Sequence, residues 1–332
     1  MKLIIDAMGG DNAPLEIVKG ALSGQKRWGV DVALTGDTTA ILQALEACGE
    51  KTLPQGMEIV HTTETVEMCD DPATVFRRKK DTSMGVGLTM LRDGSADAMV
   101  SAGSTGALLT GATLIVKRIR GIRRAAMAPV IPTTTGQAVL IDCGANAECT
   151  PEYLVQFAYL GSYYAHRVLG VERPRVGLLN IGTEDSKGTE LQKETLRWLR
   201  EAHTAGHLNF IGNIEAKEAI KGGCDVIVCD GFSGNVLLKT VEGTGLFTAA
   251  RLRASTDPAV RAAGDTIAAE LDFASNGASM LLGLPKPFLK AHGSANAATI
   301  PNAVRQLLQL SELDFPERLQ ALLARTAELQ KT

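Results

Sequence analysis

Short apolar runs of four to six residues recur along this chain. Each stops at Gly, Asp, Asn, Ser or Thr, and an amphipathic stretch follows. "KLIIDAMGGDNAPLEIVKGAL" and "DVALTGDTTAILQALEA" are the first two cases, and "ADAMVSAGSTGALLTGATLIV", "QAVLIDCGANAECTPEYLVQFAYL", "RVGLLNIGTEDSKGTELQKETLRWL" and "CDVIVCDGFSGNVLLKTVEGTG" continue the pattern. Continuous β-branched or Leu-rich runs without alternation read as buried parallel strands. Strand and helix taking turns predicts a doubly wound α/β fold: a three-layer, Rossmann-like sheet with helices on both faces. Helix starts are marked at Asn12-Ala-Pro14, Thr150-Pro151-Glu152 and Thr189-Glu190 by a cap, an early proline or an early acid. The stretch from His61 to Gly94 reads as a strand end, a loop around Asp70-Asp71-Pro72, a basic helix, and a further helix capped near Asp81. From Phe247 to about Ser275 the chain turns Ala-rich, without any β-run, and breaks at Asp257-Pro258; a helical excursion over 247–275 is expected. Residues 302–331 read as two amphipathic helices joined near Asp314-Phe315-Pro316. With no repeat and no low-complexity linker, one continuous α/β domain over 1–332 is expected.

Composition narrows the possibilities. The chain has 332 residues, 45% of them hydrophobic, which is ample for a sizeable core. Lys and Arg number 34 against 37 acids, a net charge of −3, so nucleic acid is not an expected partner and any anion binding must be local. The cysteines are Cys48, Cys69, Cys143, Cys149, Cys224 and Cys229. None forms a CxxC pair; they read as reduced core thiols of a cytoplasmic protein, with no metal site. Met1-Lys2 leads straight into "LIID", so no signal peptide is expected. The uncharged stretches Ala98 to Val116 and Ala125 to Ile141 carry Ser, Thr and Gly or two prolines, and neither reads as a membrane span.

In open parallel sheets ligands bind beyond the carboxyl ends of strands, where helix N-termini offer free N–H groups and glycine admits close approach. That rule singles out the turns. Asp6-Ala7-Met8-Gly9-Gly10-Asp11-Asn12 is neither GxGxxG nor a Walker loop; an ordinary turn with an Asp cap and a polar ligand loop fit it equally. Gly103-Ser104-Thr105-Gly106 has the makings of a small-anion nest, or of a tight turn with a capping hydroxyl. In "LLNIGTEDSKGTE", Lys187 stands between Gly182 and Gly188 just before a helix start, where the dipole disfavours a cation. A bound anion would explain the placement, although exposed lysines near helix ends are common. Asp230 closes "VIVCD" with Asn235 five residues on, and His292-Gly293-Ser294-Ala295-Asn296 forms a polar cluster after "KPFLKA". Two basic clusters, Arg77-Arg78-Lys79-Lys80 and Lys117 to Arg124 with Arg120 and Arg123, suit either solvent or an acidic partner or lipid headgroup.

Together the segments "IDAMGGDNAP", "FRRKKDTSM", "SAGSTGALLTGA", "LLNIGTEDSKG", "VCDGFSGNVLLKT" and "KAHGSANA" resemble those of the phosphate acyltransferases, the acyl-[acyl-carrier-protein]:phosphate transacylases, in the family's order from Ile5 to Asn296. The resemblance implies a fold related to the isocitrate/isopropylmalate dehydrogenases and a homodimer. It implies a cytoplasmic enzyme touching the membrane peripherally. The implied reaction converts fatty acyl-[acyl-carrier-protein] and inorganic phosphate to acyl phosphate for phospholipid synthesis, with no cofactor. Ser104 stands where the family often has Asn, and the excursion from Arg251 to Glu270 is shorter and less apolar than in relatives.

Phosphate is then the nucleophile, so no Ser-His-Asp arrangement is required. The site must cradle phosphate, align it, and stabilise an oxyanion. On this reading Lys187 and the following helix N-terminus hold phosphate, aided by Ser104 and Thr105. Asp6, Gly9, Gly10 and Asp11 join the binding loops. Asn146, Asn235, Ser294 and Asn296 orient substrate or contact the oxyanion. Asp230 positions Lys187 or accepts a proton, and His292 protonates the thiolate. Arg77, Arg78, Lys79, Lys80, Arg120 and Arg123 would dock the acidic carrier. Rival readings are a nicotinamide-dependent dehydrogenase, a short-chain acyl-CoA-dependent phosphate acyltransferase and a non-enzymatic scaffold that binds carrier or lipid.

Overall fold

The computed structural model describes residues 1–271 and 278–311. Numbered in chain order, the elements begin with β1 (Lys2–Asp6), α1 (Leu15–Trp28), β2 (Asp31–Gly36), α2 (Thr38–Ala47) and β3 (Met57–His61). Next come α3 (Val75–Arg78), α4 (Ser83–Arg92), β4 (Ala98–Ser101) and α5 (Thr105–Gly111), which runs on into a π-helical turn, Ala112–Val116. The middle of the chain forms β5 (Ala126–Ala128), β6 (Val130–Thr133), β7 (Gly136–Ile141), α6 (Pro151–Val168), β8 (Arg175–Leu179), α7 (Glu190–Thr204), β9 (Asn209–Ile214), α8 (Ala216–Ile220) and β10 (Val226–Val228). Helices α9 (Gly231–Arg253) and α10 (Pro258–Glu270) follow, then β11 (Ala278–Leu282), β12 (Phe288–Ala291) and α11 (Thr299–Ser311). The fold is mixed α/β, with two sheets that are mostly parallel.

The described residues fall into two compact units, one over 1–119 with 278–311 and one over 120–271. In the first, the strand order is β3-β2-β1-β4-β12-β11. All neighbours are parallel except β11 on β12. Leu3, Ile4 and Ile5 of β1 are fully buried, which is why "LIID" needs no polar alternation. Helix α1 lies close on α11: a Cβ on Gly20 would fall 2.9 Å from the Ile300 side chain, and Trp28 Nε1 donates to the Pro301 carbonyl at 3.1 Å.

In the second unit the order is β6-β7-β10-β8-β9, parallel except for the β6–β7 hairpin. Helix α7 opens on a capping box between Thr189 and Gln192 and buries Leu196 and Leu199. Burying two leucines contributes roughly 3–6 kcal/mol before chain entropy is counted.

The marked helix starts at 150–152 and 189–190 are those of α6 and α7, and α1 follows Pro14 directly. Asp257 caps α10 by accepting from Ala259 N at 2.8 Å, so the Asp257-Pro258 break begins a new helix. Three expectations need correction or refinement. The strands are not all parallel, because Thr-Thr-Thr-Gly closes a hairpin between β6 and β7 and a second hairpin joins β11 to β12. The helical excursion expected over 247–275 begins inside a longer helix: α9 runs unbroken from Gly231 to Arg253, with no proline between, and α10 follows. The helix expected from 302 starts at Thr299, with Pro301 in its first turn, where a missing N–H costs nothing. The second C-terminal helix, and the end of the excursion past Leu271, lie outside the described residues. Among the described residues no helix is long and apolar enough to cross a membrane.

Candidate active site

In the first unit, three loops meet at the carboxyl ends of the adjacent strands β1, β4 and β12. Asp6 ends β1 fully desolvated, and its Oδ2 accepts from Ser101 Oγ at 2.7 Å. Ser101 Oγ in turn accepts from Gly103 N at 3.1 Å. Burial pushes the Asp6 carboxyl above the usual range, and the bonds from Ser101, Ser83, Met8 and Gly9 offset part of that rise. A Cβ on Gly9 would lie 2.7 Å from Asp6 Oδ2 and 2.8 Å from Gly103 N, so only glycine lets the first two loops close on each other. Gly10, at φ 102°, turns the chain past Ala102 and the Gly293 carbonyl. Asp11 N then donates to Gly293 O at 2.8 Å, and Asn12 Nδ2 donates to the carbonyls of Ser294 and Ala295 at 3.2 and 3.1 Å. Ser104 is buried at the head of α5 and makes no capping bond; Thr105 beside it is half-buried. Exposed His292 takes Ser294 N–H at Nδ1, at 3.2 Å, with Ser294 Oγ 2.7 Å from the same nitrogen. An Nδ1 that accepts leaves the ring's proton on Nε2. Asn296 Oδ1 accepts from Ala298 N at 2.9 Å and so serves the start of α11.

The second unit repeats the arrangement at the carboxyl ends of β7, β10 and β8. Asp142, fully buried after β7, accepts five bonds: Met127 N at 2.8 Å, Cys143 N at 2.7 Å and Ala145 N at 3.3 Å on Oδ1, Asn146 N at 2.6 Å and Asn146 Nδ2 at 2.9 Å on Oδ2. Burial pushes this carboxyl up. Every contact is nevertheless an N–H donor, so a proton on either oxygen would face another proton, and the group is held as a carboxylate. Asn146 gives its other amide hydrogen to Ala125 O at 2.8 Å, which fixes the turn. Gly231 N donates to Asn146 O at 2.8 Å, seating the start of α9 on it. Asp230 caps α9, its two oxygens accepting from Ser233 N at 2.8 Å and Ser233 Oγ at 2.9 Å. Asn235 is exposed one turn on, with its amide 3.4 Å from where a Gly144 Cβ would stand. Lys187 is exposed in the turn before α7, a turn held by Asn180 Nδ2 donating to Lys187 O at 3.2 Å and by the Asp185–Arg200 ion pair.

A family described as fatty acid synthesis protein matches residues 1–318. The chain is 39% identical over 329 residues to a phosphate acyltransferase of Thermoanaerobacterium thermosaccharolyticum, covering 96% of each chain. It is 42% identical over 325 residues to one of Bacillus licheniformis, covering 93% of this chain and 94% of that one. The chain belongs to the phosphate acyltransferase family. Its fold is also similar to that of a phosphotransacetylase from Streptococcus pyogenes, with TM-score 0.68, 17% identity and 94% of each chain covered.

The site residues expected of a phosphate acyltransferase thus form two groups. Asp6, Gly9, Gly10, Asp11, Ser104, Thr105, His292, Ser294 and Asn296 gather in the first unit; Asn146, Lys187, Asp230 and Asn235 gather in the second. The basic clusters are likewise divided. Arg77, Arg78 and Lys80 are exposed at α3, whereas Lys79 turns inward, with Nζ 2.6 Å from Asp70 and 3.0 Å from Thr65 O. That pairing holds the Asp70 carboxyl below its ordinary value and raises Lys79. Arg120 is exposed, and Arg123 pairs with Glu152 at 2.8 Å.

Three residues escaped the sequence reading. Ser101 bridges Asp6 to the second loop, and Asp142 organises the Asn146 turn. Lys290 is the third: it lies on β12 opposite Ser101, only 8% exposed, with Nζ donating to Ala291 O. Desolvation lowers it to about 8, against the pull of Asp11 and Asp6. Burial pushes the Cys143 and Cys149 thiols up to about 12, so neither supplies a thiolate nucleophile to the second unit's turns.

Proposed function

We propose that this phosphate acyltransferase moves a fatty acyl group from acyl carrier protein to inorganic phosphate, giving acyl phosphate and free carrier for phospholipid synthesis. The observation that carries the reading is the relationship to phosphate acyltransferases over almost the whole chain. Supporting it, the polar turns gather at the carboxyl edges of two sheets, where such folds bind ligands.

On this reading phosphate attacks the thioester carbonyl directly. Lys187, unpaired by any carboxylate among the described residues and set just before α7, holds phosphate together with that helix's N–H groups. Asn235 orients the acyl group, and the glycine turns around Asp6 and Ser104 serve as ligand loops of the first unit. Exposed Arg77 and Arg78 meet the acidic carrier, which enters with its prosthetic arm. The reading extends to a fold shared with the isocitrate/isopropylmalate dehydrogenases, to a homodimer, and to a cytoplasmic enzyme resting on the inner face of the membrane. Leu246 and Phe247 on α9, 59% and 67% exposed, are apolar surface that contacts of this kind would cover.

Hydroxylamine trapping tests the reading. Long-chain acyl-carrier protein with inorganic phosphate should give hydroxamate, and omission of phosphate should abolish it. Lys187→Ala should lower turnover by about 100-fold or more. Hydroxamate formed equally without phosphate would refute the reaction.

A further inference from the structure

Resting on the reaction just proposed, the difficulty lies in breaking the thioester. Once phosphate has added to the carbonyl carbon, the tetrahedral adduct can lose either group. A phosphate group's second ionisation lies near ~6, and a thiol's near ~8.5. The phosphate oxygen is thus the better leaving group, and the adduct reverts unless the sulfur is helped. A buried proton donor at the sulfur would reverse that preference.

We infer that the Lys290 ammonium is that donor, a catalytic residue delivering a proton to the departing sulfur of the carrier's arm. Lys290 is the next-to-last residue of β12, the strand that enters the 292–296 loop, and it lies in register with Ser101, which holds Asp6. It is 8% exposed, and its ammonium reaches a carbonyl, that of Ala291, rather than a carboxylate. Lysines are almost never buried without an ion pair unless the charge has a use. Around it stand Ser101 on β4 and Ser279 on β11, its register partners, with the carboxylates of Asp11 and Asp6 at longer range and His292 two residues on. His292 suits the task less, being exposed and tied through Nδ1 to Ser294. Desolvation brings Lys290 to about 8, close to the thiol it would serve, so transfer is near balance. In the step, a phosphate oxygen bonds to carbon, the C–S pair moves to sulfur, and Nζ–H passes to sulfur. The neutral amine then regains, through solvent, the proton that hydrogen phosphate releases. Nothing is oxidised or reduced.

The test compares wild type and Lys290→Met on acyl thioesters whose thiols run from alkyl to aryl, scored by hydroxamate. An aryl thiolate leaves unaided. The variant should lose about 100-fold with alkyl thioesters and under about 10-fold with aryl ones. Wild-type kcat should fall as pH rises through about 8, and the variant should lack that limb. Equal losses across the series, or an unchanged alkaline limb, would overturn the Lys290 assignment alone. A wild-type enzyme that forms no phosphate-dependent hydroxamate would overturn the reaction, and this inference with it.

Discussion

Asp142→Asn separates a buried carboxylate's structural work from its charge. The carboxylate accepts three N–H groups on one oxygen and two on the other. An amide has one oxygen and one NH2. In either orientation the NH2 confronts at least two N–H donors that then go unmet. Each buried donor left without a partner costs about 1–3 kcal/mol. Two of them cost about 2–6 kcal/mol, and relief from burying a charge returns part of that, so a net loss of about 3 kcal/mol is expected. Trp198 on α7 reports the second unit, and Trp28 on α1 the first, so urea unfolding is followed by fluorescence in a Trp28→Phe background. With a slope of about 2 kcal/mol per molar urea, the Trp198 midpoint should drop by about 1.5 M. A midpoint within about 0.3 M of the parent would refute the five-donor reasoning.

Three further outcomes follow from the same geometry. Lys290's folded pKa of about 8 lies below its ordinary 10.5, so the unfolded chain binds the extra proton and the penalty is fully present below pH 8. Lys290→Met should therefore stabilise the protein by up to about 3 kcal/mol at pH 7, and the gain should shrink as pH rises towards 10.5; urea midpoints that differ equally at both pH values would contradict this. Gly9→Ala places a Cβ 2.7 Å from Asp6 Oδ2 and should cost about 1–3 kcal/mol along with turnover, read by melting temperature and kcat. Reversing Arg77 and Arg78 to Glu should raise KM for the carrier substrate about 10-fold, less at high salt, while leaving KM for a small thioester unchanged; equal effects on both would exclude carrier docking there.

The strand-turn-helix rhythm made much of this fold legible, because a buried strand must be apolar and its exit turn must be polar. Asp6 and Asp230 stood out as acids closing apolar runs. Asp142 closes "AVLID" in the same way and carried the same signal, but the residues that make it important, Met127 N and Ala125 O, come from a neighbouring segment that no local pattern reveals. Lys290 is hidden by its surroundings: "KPFLKA" carries two lysines, Lys286 and Lys290, and nothing local tells which is buried; the pairing of β12 with β4 buries Lys290. The antiparallel hairpins were missed for a related reason. Strand direction is set by which partner a strand finds, whereas apolar content reports only that it is buried. Composition changes at Phe247 and the helical excursion it predicts is present, but the helix there starts at Gly231, with Gly245 leaving room for Leu271 of the following segment.

The most direct test of the central claim uses phosphate labelled with heavy oxygen, long-chain acyl-carrier protein and mass spectrometry of the intact product. If phosphate is the nucleophile, acyl phosphate must carry every labelled oxygen, including the one that bridges to the acyl carbon. Label absent from the bridging position, or unlabelled free fatty acid released at the same rate without phosphate, would contradict it.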